Sequence, residues 1–93
     1  MRLRRTRNDG RNGNMTQINE SIEVGAVFLK TGLRPVWFMW KGRKYGIERV
    51  TYRWKEKKGD DLLHSFSVFD GANTFELNYD SKSLAWKLGR VSL

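Results

Sequence analysis

Ninety-three residues make one small domain with a thin core, because a chain of this size buries only about 60–65% of its unfolded surface. The absence of cysteine excludes disulfides, thiolate metal sites and a cysteine nucleophile, and fits a reducing cytoplasm. No apolar run approaches the roughly 20 residues that span a bilayer, and no hydrophobic segment follows the basic start as in a secretory signal, so no membrane partner is expected. The net charge of +8 is concentrated: residues 1–14 hold five arginines against one aspartate, and Lys41 to Lys58 holds eight basic side chains against two glutamates. Such asymmetry points to an anionic partner.

Residues 1–14 show no hydrophobic period and read as a disordered basic tail. Residues 15–93 read as a single β domain. Two readings of the tail stand: a nucleic-acid-binding arm, or an over-extended start with Met15 as the initiator. Thr16 to Ser21 has the makings of one helical turn. From Ile22 the period is two: Ile22, Val24, Ala26 and Phe28 alternate with Glu23 and Gly25, as in a strand. Thr31-Gly32 begins a turn, and Pro35 suits the mouth of the second strand because it cannot donate within a ladder. In that strand Val36, Phe38 and Trp40 point one way, Trp37 and Met39 the other. Lys41-Gly42 closes a two-residue hairpin.

The third strand is expected over about Arg43 to Lys55. Its apolar parity changes between Tyr45/Ile47 and Val50/Tyr52/Trp54. A β-bulge near Glu48-Arg49 would bring both sets to the core and leave Lys44, Arg49, Arg53 and Lys55 together outside. A charged loop follows. His64, Phe66 and Val68 then share one parity of a fourth strand, Asp70-Gly71 marks a turn, Phe75, Leu77 and Tyr79 alternate in a fifth strand, and Leu84, Trp86 and Leu88 in a sixth. The expected fold is therefore all-β: an antiparallel meander of about six strands, forming a strongly curled sheet or a small open barrel.

The inventory argues against an enzyme. The single histidine, His64, alternates with core residues and reads as a core or rim residue rather than a general base. Asp60-Asp61 lies beside Lys57 and Lys58, as a solvated turn does. One histidine without cysteine gives no metal-ligand spacing, and nothing calls for a cofactor.

Basic residues interleaved with aromatics suit single-stranded nucleic acid, since cations neutralise phosphates and rings stack on bases. The candidate site is Arg43, Lys44, Arg49 and Arg53, with Trp37 as the stacking ring. The competing reading has Trp37 covered by a terminal segment and the arginines as a solvated edge. The alternative function is a protein-interaction domain, or a homodimer, using the Trp37-Met39 face or an unpaired strand edge.

The run Pro35-x-x-Phe38-x-Trp40-x-Gly42-Arg43-x-Tyr45-x-Ile47-x-x-Val50-x-x-x-Trp54, with Phe75-Glu76-Leu77 and Trp86-Lys87-Leu88 near the end, resembles a family of small uncharacterised bacterial β-rich domains. The resemblance covers about Val24 to Val91. It implies no assigned activity or ligand. It does imply association with DNA-repair polymerase-like proteins, which adds a repair protein to the expected partners. For Phe38, Trp40, Tyr45, Ile47, Trp54 and Trp86 it implies core roles, and for Gly42 the turn.

Overall fold

The computed structural model describes residues 15–92; the basic tail read from residues 1–14 lies outside them. Seven antiparallel strands run in chain order: β1 Thr16–Leu29, β2 Gly32–Trp40, β3 Arg43–Gly46, β4 Arg49–Lys58, β5 Asp61–Phe69, β6 Thr74–Asp80 and β7 Ala85–Ser92. They form one open sheet in the order β3-β2-β1-β7-β6-β5-β4, not closed into a barrel. The fold is all-β, with seven strands instead of six because the long third strand divides at Ile47-Glu48. No helix among the described residues is long and apolar enough to cross a membrane.

The sheet is curled at two places. Strand β1 pairs with β7 through Thr16–Ile22 and with β2 through Glu23–Leu29, so it belongs to both halves. Thr16–Ser21 is thus strand rather than a helical turn, because its backbone groups are taken by the β7 ladder. The second crossing is the Ile47-Glu48 corner: the Ile47 amide donates to the Val36 carbonyl on one half (2.9 Å), and the Glu48 amide to the Phe69 carbonyl on the other (2.8 Å).

Folding the halves together places their inner faces in contact. Phe38 and Trp40 from β2 meet Phe75 from β6, the Phe38 and Phe75 rings lying edge to face at 5.0 Å. Tyr45 stacks on Phe38 at 5.0 Å, and Phe66, Val68, Leu77, Leu88 and Val91 complete the buried apolar set. The Trp40 indole nitrogen donates to Glu20 Oε1 (3.1 Å), so its polar atom is satisfied despite burial. Leu84, read from sequence as a strand residue, is in the β6–β7 turn at φ 60° and 72% exposed.

The Lys41-Gly42 hairpin is as expected, with Trp40 opposite Arg43. Both turn residues have positive φ, 52° and 73°, as in a type I′ turn. A lysine strains such a position more than asparagine does. Lys41→Asn is therefore expected to stabilise the domain by about 0.5 kcal/mol, the backbone gain exceeding the exposed cation–π contact of Lys41 with Trp40. The check is a higher urea midpoint at unchanged slope; a lower midpoint would mean that the cation–π contact outweighs the backbone strain.

Candidate functional site

Alternation along a strand decides which face each cation reaches, and unpaired residues reset it. In β4 the reset comes at Thr51, where the register steps from Val50–Val68 to Tyr52–Ser67; the Thr51 hydroxyl donates to the Ser67 carbonyl (3.0 Å). The expected irregularity near Glu48-Arg49 is present as the strand break at Ile47-Glu48, which brings Tyr45, Ile47 and Val50 to the core; the bulge itself is at Thr51, and it makes the outcome for the later residues the reverse of that expected. Tyr52 and Trp54 face outward, stacked on each other at 5.5 Å, with the Trp54 indole nitrogen bonded to Glu56 (2.9 Å). Trp54 is thus a half-buried residue of the outer face rather than a core residue. Arg53 and Lys55 turn to the inner side, opposite Phe66 and His64.

The five residues expected to act together are accordingly divided. Trp37 and Lys44 are on the outer side, with Lys44 Nζ 4.6 Å from the centre of the Trp37 ring. Arg49 is also outside, above Phe69 and paired with Glu48 at 2.7 Å. Arg43 lies against Tyr45 on the inner side (5.2 Å), and Arg53 lies over Phe66 (5.5 Å). Trp37 is not a free stacking ring. It is half-buried, and its indole lies across Gly25, its partner in the β1–β2 register. A Cβ at Gly25 would overlap the indole. Among the described residues it is the ring's own sheet that covers it; cover by the N-terminal segment concerns residues outside those described. Gly25→Ala is expected to expel Trp37 at a cost of about 1–3 kcal/mol. A double-mutant cycle checks this: the same change should cost clearly less in a Trp37→Ala background.

The inner side offers a different site. Beyond Trp37, β2 is not paired with β3, and β4 does not pair with β2. Pro35, which lacks an N–H, lies in this one-sided stretch. It is inside β2 rather than at its mouth, and an unpaired edge is where a sheet tolerates proline. The resulting seam is spanned by one side chain: Arg53 Nη1 donates to the Leu33 carbonyl (2.7 Å). Behind it opens a cleft of about 750 Å³, within the usual range for ligand sites.

The cleft is built from five strands and two turns. Leu33 and Phe66 line its floor, His64 and Tyr79 its side, and Phe28 and Leu84 its rim, while Arg53 and Lys55 stand on the seam. Trp86 supports the Tyr79 ring from behind at 4.8 Å. Among the described residues no carboxylate is within ion-pair distance of Arg53 or Lys55, whereas Arg49, Lys82 and Arg90 each have one. The outer face of the same strands is the opposite in character: Glu56, Ser65, Asn78 and Glu76 form a chain of hydrogen bonds there that satisfies its own members.

Of the five candidate site residues expected from sequence, only Arg53 lines the cleft. Phe28, Lys55, His64, Tyr79 and Leu84 were not singled out as a group, because they come from separate hairpins. A signal was present in the parity of Arg53 and Lys55, which the bulge at Thr51 turns inward together. Among the described residues no group of three or more metal-ligating side chains stands close enough to hold an ion. Comparison with protein-family models, curated proteins and solved structures returned no match.

Proposed function

We propose that this domain is a binding module rather than an enzyme, and that its ligand is single-stranded nucleic acid held at the cleft. The observation that carries this reading is a pair of cations with no carboxylate partner among the described residues, Arg53 and Lys55, standing beside the rings of Phe28, His64 and Tyr79. Phosphates need cations with no internal anion to displace, and unpaired bases need accessible rings. The excess charge of Lys41 to Lys58 supports the same reading by attracting a polyanion towards the seam. A repair-protein partner rests on the sequence resemblance alone.

The outer-side alternative, a protein interface on Trp37 and Met39, has less support. Both residues are half-buried, and Trp37 is occupied by Gly25 and Lys44. The exposed apolar side chains of greatest exposure, Phe28 and Leu84, are on the cleft rim instead.

The test is fluorescence anisotropy of a labelled single-stranded DNA with the full chain across a salt series, beside a variant whose five tail arginines are glutamine. Retained binding by the variant, falling steeply with salt, is expected. Binding that vanishes with the tail charges would assign the activity to residues 1–14 and overturn the cleft assignment.

A further inference from the structure

We propose that the cleft is a socket for one unstacked nucleotide of a single strand, not a channel along which a strand runs; this rests on the nucleic-acid reading above. The argument begins with where the cleft ends. All three hairpin turns beside it, between β1 and β2, β4 and β5, and β6 and β7, lie at one end of the sheet, as the antiparallel order requires. The opposite end of the same inner space is filled by Phe38, Trp40, Tyr45 and Phe75, ring against ring. The cleft is therefore closed at that end, and Arg53 bridges the seam at its side. A strand can lie across its mouth, but only a side group can enter.

The chemistry of the mouth matches a nucleotide. Phe28 is 79% exposed and Leu84 72%, large apolar surface of the kind that functional sites leave uncovered. They form lips for a flat group entering against Tyr79 and His64, with Phe66 buried beneath Arg53. Arg53 and Lys55 remain at the seam, where the phosphates flanking that group would stay. Arg53 is held by one exposed bond to the Leu33 carbonyl, which a charge-assisted bond to phosphate would readily replace. Within a duplex a base must leave its stack to enter such a site, whereas in a single strand that cost is small. The socket thus also accounts for a preference for single strands without any base-edge reading.

Oligomers of equal charge separate this from simple phosphate attraction. The full chain is titrated with a five-unit DNA strand that is abasic throughout, with the same strand carrying one central thymine, and with five thymines. The single base is expected to raise affinity about tenfold over the abasic strand, the scale of one base–aromatic stack. The other four are expected to add no more than a statistical factor for the extra registers. Phe28→Ala, a change at an exposed position that spares the core, is expected to abolish the gain from the single base and leave the abasic affinity unchanged. A steady gain with every base would mean an extended platform and overturn the socket while leaving nucleic-acid binding intact. No difference between abasic and thymine strands would mean charge alone and overturn it equally. No binding to any of the three would overturn the nucleic-acid reading itself.

Discussion

Replacing Arg53 and Lys55 together by glutamine is expected to reduce affinity for single-stranded DNA at low salt by ten- to a hundredfold. It should also make the slope of log K against log salt shallower by about 1.4, since each phosphate neutralised on a single strand contributes roughly 0.7. The size follows from what each cation does in the free protein. Neither has a carboxylate partner among the described residues, so each can offer its whole charge to a phosphate. Lys44→Gln with Arg49→Gln removes the same formal charge from the same hairpin region and is the matched control. Lys44 lies on the Trp37 ring and Arg49 is engaged by Glu48 at 2.7 Å, both on the outer side. This second pair is expected to change the slope by clearly less. If the outer pair shifts the slope and the inner pair does not, the cleft is the wrong site and the outer side of the hairpin carries the binding. Loss of fold does not confuse the result: Arg53 gives up one exposed hydrogen bond and its contact with the Phe66 ring, together worth about 1–2 kcal/mol, and a urea titration of the same variants measures it.

The contrast between the two pairs shows which parts of the molecule were legible in the sequence. Strands β5 and β6 were, because Phe66 and Val68, then Phe75 and Leu77, keep an uninterrupted period of two, and every one of them is buried. The Lys41-Gly42 turn was, because a glycine flanked by two apolar-rich runs is a local signal. What escaped are the single unpaired residues that reset the alternation. Val36 in β2, Thr51 in β4 and Gly89 in β7 each stand opposite no partner, and a bulge of this kind shows itself only in the register of a neighbouring strand. One such residue, Thr51, sufficed to exchange Tyr52 and Trp54 with Arg53 and Lys55 between the two faces. The cleft was hidden for a different reason. Phe28, His64, Tyr79 and Leu84 are far apart in the chain and acquire a common purpose only when the sheet curls and brings three hairpin turns to one end.

Curling is also where the domain is most vulnerable. The two halves share β1 and the Ile47-Glu48 corner, and Arg53 bonds across the seam to the Leu33 carbonyl; the rest of the contact is apolar, centred on rings meeting across the interior. Phe75 is the centre of that cluster. It is fully buried and contacts Phe38 at 5.0 Å, Tyr45 at 5.3 Å and Trp40 at 6.5 Å, each near edge-on. Phe75→Ala is expected to cost about 3–5 kcal/mol, the range for removing a buried phenyl and leaving a cavity. That is a large part of the roughly 5–15 kcal/mol available to a domain. Phe28→Ala removes the same side chain from the cleft rim, where it is 79% exposed, and is expected to cost less than about 0.5 kcal/mol, as surface substitutions do. The pair separates burial from residue type. Urea unfolding followed by tryptophan fluorescence gives both numbers. Hydrogen exchange locates the effect: β3 amides should lose protection before those of β5 and β6, because β5 and β6 have paired neighbours on both sides whereas β3 is an edge. A cost below about 1 kcal/mol for Phe75→Ala would be too small for a buried phenyl, and would show that the β1 ladder and the corner hold the halves together without the aromatic cluster.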